Sequence, residues 1–194
     1  MDETWITLDD CNSEGEYFYT DGFMEVPDDW RKKPVKQWPK KIMVAIGICW
    51  NGMSKPYVVD GNYLIDNFLS SMVHKDIPRL YPKNPQDIWV HFDRAKSHVA
   101  MLTQNWMEEH HPNYIPEDHW MANSPNLAPL DYAINGILKK NSGERKVTTI
   151  AGLSKVLHEV CANFDLGVIR RSLLSWESRV QKMLDKKGDY IELD

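Results

Sequence analysis

Residues 4–8 (Thr-Trp-Ile-Thr-Leu) are rich in β-branched and aromatic side chains and predict a strand that starts almost at the first residue. A long connection follows over 16–41, with a short strand expected at 16–20. Residues 41–50 (KIMVAIGICW) are apolar and β-branched, which predicts a buried strand. Asn51-Gly52 is a hairpin signal, and 55–59 (KPYVV) is the expected return strand. Over 62–76 the period changes: Ile65, Phe68, Leu69, Met72 and Val73 recur at helical spacing. Residues 87–92 (DIWVHF) read as strand again. A helix is expected over 96–110 with Val99, Leu102 and Trp106 on one face, then a short strand at 113–116. Prolines 125 and 129 precede a helix-compatible run to residue 140. Ile150, Leu153, Leu157 and Val160 mark another helix, and Ile169, Leu173, Trp176 and Val180 the last. Early hairpin strands followed by strand–helix–strand alternation predict an α/β layered domain, a mixed sheet with helices on both faces.

Composition adds bounds. The 194 residues suffice for one domain with a sizeable core, so residues 1–194 are expected to fold as a single unit. The chain is 42% hydrophobic and 26% charged, within the globular range, and its eight tryptophans favour a packed interior. Cys11, Cys49 and Cys161 are scattered, without a CxxC pair, which argues against a disulfide framework and for a reducing compartment. No apolar run reaches spanning length and no signal-peptide pattern opens the chain, so cytosol or nucleus is expected, without a membrane partner. The net charge of −5 excludes a uniformly basic DNA grip. Any DNA affinity must be local or supplied by a missing part, and Arg31, Lys32, Lys33, Lys36, Lys40 and Lys41 form an acid-free cationic run in 31–41.

Three acids fall where a strand or helix end would expose them: Asp2 before the first strand, Asp93 after 87–92, and Asp131 at the start of a helix. Acids on neighbouring element ends can converge on one point. Such a cluster repels itself unless hard divalent cations offset the charge. Each acid also has an ordinary reading. Asp93 can cap the following helix. Asp131 suits a first helical turn. Asp2, beside the terminus, would by default be disordered. Taken singly, the spacing favours these ordinary readings.

Taken in order, five segments carry a resemblance. HFDRAKSHVA (91–100) resembles the HDNAPSHTA segment of mariner-type transposases. NSPNLAPLDYAINGILK (123–139) resembles their SPDLAPxDYxLF segment, and MDETWI (1–6) their GDEKWI. WPKKIMVAIGICWNG (38–52) is similar to the strand before their hairpin. SWESRVQKMLDKKGDYIEL (175–193) is similar to their closing pattern of Trp, Arg and Gly-x-Tyr-x-Glu. The segments keep the family's order and span nearly the whole chain.

The resemblance implies an RNase H-like catalytic domain of the D-D-D/E class. Carried over by motif, the catalytic and metal-binding residues are Asp2, Asp93 and Asp131, with 37 residues (94–130) between the last two. It implies two Mg²⁺ or Mn²⁺ ions, metal-dependent DNA strand cleavage and strand transfer at transposon inverted-repeat ends, a TA target, a homodimer acting on paired ends, and work in the nucleus. Two such ions about 4 Å apart activate a water or hydroxyl and stabilise the leaving oxygen. Glu3 faces the side of the strand opposite Asp2 and is not expected as a ligand. The connection at about 20–41 corresponds to a clamp-like loop. There Trp30 and Trp38 among the cations suit phosphate contact and stacking, although a charge run is also an ordinary solvated face. His98 matches the family's Ser-His pair and is expected to support the site or to pack at its helix start. His110-His111 and 158–161 (HEVC) lack a four-ligand zinc set.

Departures open other readings. Arg94 and Lys96 stand where the family has Asn and Pro; they contact phosphate or mark a decayed site. Asn126 replaces an Asp. The family carries helix-turn-helix modules ahead of the catalytic domain and none is read here. Its first strand also begins several residues earlier, so Asp2 is expected to be loosely held. The alternative function is a truncated or repurposed, inactive transposase-derived module that binds DNA or protein. An unrelated RNase H-like nuclease is a weaker alternative.

Overall fold

The computed structural model describes residues 1–8, 40–59, 64–93, 95–119, 124–145, 147–189 and 191. The short strand expected at 16–20, most of the clamp-like connection with Trp30 and Trp38, and Cys11 lie outside these residues. So do Arg94, Tyr190 and Glu192.

Strand β1 (Asp2–Thr7) pairs antiparallel with β2 (Lys41–Ile46), and β2 pairs antiparallel with β5 (Tyr57–Val59). Strand alternation sorts the side chains. Asp2, Thr4 and Ile6 are buried and stand opposite Ile46, Val44 and Ile42. Glu3 stands opposite Ala45, on the other face. The expected strand 41–50 breaks at Gly47. There Ser54 closes the gap: its backbone N–H donates to the Gly47 carbonyl, and its Oγ accepts from the Gly47 N–H at 2.8 Å. A two-residue hairpin, β3 (Ile48–Cys49) with β4 (Gly52–Met53), is thereby set off from the sheet. Gly52 has φ of 141°, a conformation that side chains disfavour, so Asn51-Gly52 is a turn as expected.

The sheet separates two apolar layers. On one face, Ile6, Ile42, Val44 and Ile46 pack with Leu130, Ile134 and Leu138, and with Leu153, Leu157 and Ile169. These come from a wide-pitched turn Leu130–Ile134 that runs into α3 (Asn135–Gly143), from α4 (Ile150–Ala162), and from α5 (Leu166–Leu174). Thr149 and Asp165 cap α4 and α5 by accepting from Gly152 and Gly167. On the other face, Ala45 meets Phe68, Leu69, Met72, Ile77, Phe92, Met107 and Tyr114. Those residues come from helical turns Leu64–Leu69 and Met72–Asp76, α1 (Ile77–Leu80), the segment around Val90 and α2 (Met101–His110). The side chain of Ile65 is outside the described set. The result is a mixed α/β domain of helices with a small antiparallel sheet. No described helix is long and apolar enough to cross a membrane.

Three expectations need correction. Residues 87–92 and 113–116 do not form extended strands. Only Val90 and Tyr114 make an isolated parallel bridge: the Val90 N–H donates to Asn113, and the Val90 carbonyl accepts from Ile115. Residues 85–87 coil into a 3₁₀ turn, which removes the first residue of the expected strand. The helix expected over 96–110 begins at Met101, and its inward positions are Thr103 and Met107; Leu102 is 73% exposed. Residues 96–100 form turns instead, which reset the face that meets the core. The last helix is divided at Ser175 into α5 and α6 (Trp176–Asp185), and Arg179 rather than Val180 is its buried residue.

Candidate active site

Asp2 opens β1, and it is fixed rather than loose. It is buried, Oδ1 accepts from the Glu3 N–H at 2.7 Å, and Oδ2 accepts from Asn135 Nδ2 at 2.8 Å. Asn135 lies one helical turn beyond Asp131, so the two side chains share a helix face. Asp131 is exposed as a residue, yet its carboxyl hydrogen-bonds with Asp2. Burial and the Asp2 charge, aided by that hydrogen bond and by Asp93, push its pKa up to about 6, against the opposing effect of Asn135. Two carboxylates so close disfavour joint ionisation.

Asp93 sits after the Val90 bridge and is 45% exposed. Its Oδ1 accepts from the Ala95 N–H at 3.1 Å and from His98 Nδ1 at 2.6 Å. The former bond closes a local turn; the helix begins only at Met101 with Ala100 at its N-cap, so Asp93 does not cap it. His98 is 1% exposed, and its second nitrogen, Nε2, lies 3.1 Å from Glu3 Oε1. Burial opposes a charged ring, but the hydrogen bonds and charges of Asp93 and Glu3 outweigh it and push His98 up to about 9. With both nitrogens facing carboxylates, the ring is an imidazolium that donates twice. Burial alone would raise Asp93; the His98 bond and charge and the Ala95 N–H together hold it below its ordinary value.

The loop before Asp131 is anchored from behind. Trp176 Nε1 donates to the Leu127 carbonyl at 3.0 Å, and Arg179 Nη1 donates to that of Asn126 at 3.1 Å. The Arg179 guanidinium lies 3.6 Å from the centre of the Tyr132 ring, whose hydroxyl donates to the Ser172 carbonyl. Thus α5 and α6 fix the turn that carries Asp131.

Asp2, Asp93 and Asp131 therefore share one electrostatic neighbourhood: both Asp2 and Asp93 raise Asp131. Among the described residues, however, no three His, Cys, Asp or Glu side chains close into a ready ligand cage. The donor chemistry still fits a hard cation. The donors are carboxylate oxygens, the Asp131 carboxyl is pushed up by burial and by its acidic neighbours for want of positive charge, and Asn135 Oδ1 is buried without a partner among the described residues. The expected DNA-contact residues are only partly described. Lys40 and Lys41 are exposed at the β2 start, and Lys41 Nζ sits 4.2 Å from the centre of the Trp5 ring. Lys96 is exposed. Arg31, Lys32, Lys33, Lys36 and Arg94 lie outside the described residues.

Sequence reasoning missed one residue that touches the carboxylates and one that acts on them through a neighbour. The i, i+4 spacing from Asp131 could have marked Asn135. Glu3 reaches Asp93 only through His98, which no spacing along the chain reports.

No protein-family model matches the chain, and no curated protein matches it. Solved structures do. A pre-cleavage Mos1 transpososome superposes with a TM-score of 0.81 at 20% identity, over 98% of this chain and 56% of that one. The mariner Mos1 paired-end complex with Mn gives 0.77 at 21%, over 98% and 55%. The Mos1 mariner transposase catalytic domain gives 0.65 at 22%, over 79% and 77%. The chain spans about half the length of the chains in the two Mos1 complexes. With its sheet between two helical layers, this chain has the fold seen in the catalytic domain of Mos1 mariner transposase.

Proposed function

We propose that the chain is the catalytic domain of a mariner-type transposase with an RNase H-like fold, acting in the nucleus on transposon ends and a TA target. One observation carries the reading. Three motif acids far apart in sequence meet electrostatically, on a fold matched by Mos1 transposase over 98% of the chain. The solved Mos1 neighbours include a paired-end complex with Mn and a strand transfer complex, which supports DNA and divalent metal as partners here. Asp2, Asp93 and Asp131 would hold two Mg²⁺ or Mn²⁺ ions, which when bound supply activation of a water or 3′-hydroxyl and charge relief at the leaving oxygen. The residues do the rest. Asn135 orients Asp2. Bound positive charge would relieve the repulsion between Asp131 and Asp2. His98 restrains Asp93. Lys40, Lys41 and Lys96, with Arg31, Lys32, Lys33, Lys36 and Arg94, supply phosphate contacts. A homodimer on paired ends is part of the same proposal.

A second reading, a non-catalytic transposase-derived module, is favoured by the commitment of Asp93 to His98 and Ala95 rather than to a closed ligand cage. Nicking of supercoiled DNA with Mn²⁺ separates the two. The catalytic reading expects nicking by the wild type that is lost in Asp93→Ala and Asp131→Ala. No nicking by the wild type would sink it. Mn²⁺ binding that disappears in Asp131→Ala without any nicking would favour the module that keeps its ligands but not its chemistry.

A further inference from the structure

We propose that Glu3 is a positioning residue for Asp93, acting through His98 rather than as a metal ligand. The inference rests on the metal-site reading above and deepens it.

Adjacent residues of β1 serve the site from opposite faces. Asp2 turns toward Asn135 and Asp131. Glu3 turns toward the layer of Phe92, where it meets His98 Nε2 at 3.1 Å. His98 is 1% exposed, and its ring stands 5.3 Å from that of Phe92. The ring is also held from its backbone: Gln104 Nε2 donates to the His98 carbonyl at 2.7 Å, and the His98 N–H donates to Ala95. A buried ring with two fixed nitrogens has one orientation. Glu3 selects it by accepting from Nε2, which leaves Nδ1 aimed at Asp93 Oδ1 at 2.6 Å.

The arrangement matters because, among the described residues, only His98 and the Ala95 N–H hydrogen-bond the Asp93 carboxylate. Its segment has a single bridge, at Val90, in place of a ladder. Oδ1 is engaged by His98 and the Ala95 N–H, which fixes the carboxylate plane and leaves Oδ2 as the oxygen available to a cation. Partners one shell out from a metal orient its ligands, and their loss costs about 10–100-fold in affinity or activity. Glu3 is tied to β1, which pairs with β2 along its whole length, so it couples Asp93 to the same strand that carries Asp2.

Mn²⁺ binding measured by electron paramagnetic resonance tests the proposal, with the His98 imidazole ¹⁵N resonances recorded in metal-free protein. Glu3→Ala is expected to weaken Mn²⁺ binding about tenfold, to shift the His98 Nε2 resonance, and to leave the circular-dichroism spectrum unchanged. Glu3→Gln, whose amide oxygen still accepts from Nε2–H, restores most of the affinity. If Asp93→Ala abolishes binding while Glu3→Ala binds within twofold of wild type, the positioning role is wrong and the metal site stands. If Glu3→Ala leaves the His98 resonances unmoved, the relay does not exist in solution. If the wild type binds no Mn²⁺, the metal reading fails and the positioning role falls with it. Should Glu3→Ala unfold, the metal-free wild type decides alone: an Nε2–H resonance without a hydrogen-bonded shift overturns the relay.

Discussion

Asp131 and Asp93 are held in different ways. Asp131 rides on a turn whose neighbours Leu130 and Ile134 are buried in the layer with β1 and β2, and α5 and α6 brace it through Tyr132, Trp176 and Arg179. Asp93 rides on a segment with one bridge and owes its orientation to hydrogen bonds from His98 and Ala95. Both segments are packed, that of Asp93 through Val90 and Phe92, but the Asp93 carboxylate itself is oriented by an imidazole and a backbone N–H. Packing is insensitive to pH, whereas a pair of carboxylates around an imidazolium is not. The two halves should therefore fail differently.

The largest effect is expected from Ile134→Ala. Ile134 is fully buried beneath Asp131, and the substitution should cost about 2–5 kcal/mol. Urea unfolding at pH 6 and pH 9 should show the same loss at both, because no charge is involved. A loss that varied strongly with pH would mean that the Asp131 half also depends on ionic contacts.

His98→Phe breaks the other half. It keeps a ring against Phe92 but removes both donors, leaving the mostly buried Glu3 without its imidazole partner. A cost of roughly 1–3 kcal/mol is expected near neutrality. Because His98 is raised to about 9, its contribution is fully present below its ordinary value near 6.5. It is lost as pH rises through about 9. The stability gap between wild type and His98→Phe should therefore narrow between pH 7 and pH 10. A constant gap would show that the ring contributes packing alone.

How much of this was legible follows the same division. The packed half was readable because periodicity reports burial. Ile6, Ile42, Val44 and Ile46 sit on one sheet face, and Leu153, Leu157 and Val160 line α4. Asp2, Asp93 and Asp131 were singled out by motif order, and the structure brings their charges into one neighbourhood. The polar half was poorly readable. The apolar run at 87–92 suggests a strand, but ladder formation depends on neighbours, and only Val90 forms a bridge, to the single segment 113–115. Glu3 was set aside because alternation sends it away from Asp2. That alternation is correct, but His98 folds back on the far side to meet it. Contacts across 95 residues of sequence leave no local pattern.

A smaller effect, of opposite sign, is expected in the packed half. Asp131→Asn removes the repulsion from Asp2 and should stabilise metal-free protein at pH 7.5 by about 1 kcal/mol after discounting for water at its exposed edge. That is a melting-temperature rise of roughly 2–4 °C. Asp131 binds its proton more tightly in the fold, so the native state loses stability as pH rises from its ordinary value near 3.8 through about 6. The gain from Asn should thus vanish at pH 4. Excess Mn²⁺ should reverse the order by stabilising only the wild type. An Asp131→Asn protein no more stable than wild type at pH 7.5 would mean that the two carboxyls do not repel.

The finest test concerns how α2 attaches to the Asp93 half. A helix begun at residue 96 would carry Leu102 with Val99 and Trp106 on its inner face. The observed helix begins at Met101, and Thr103 anchors it by donating from Oγ1 to the Ser97 carbonyl at 2.7 Å. Met107, one turn on, is then fully buried, and Leu102 is left in water. Leu102→Ser should change stability by no more than about 0.5 kcal/mol, as for other exposed positions, with Met107→Ala at about 2–5 kcal/mol as its contrast. Equal costs for the two would restore the face expected from spacing. They would also move the support of Asp93 from the turn at residues 96–100 to the helix itself. A cost confined to Met107 means that the turn sets the register of α2, and that His98, held within that turn, is aimed before the helix begins.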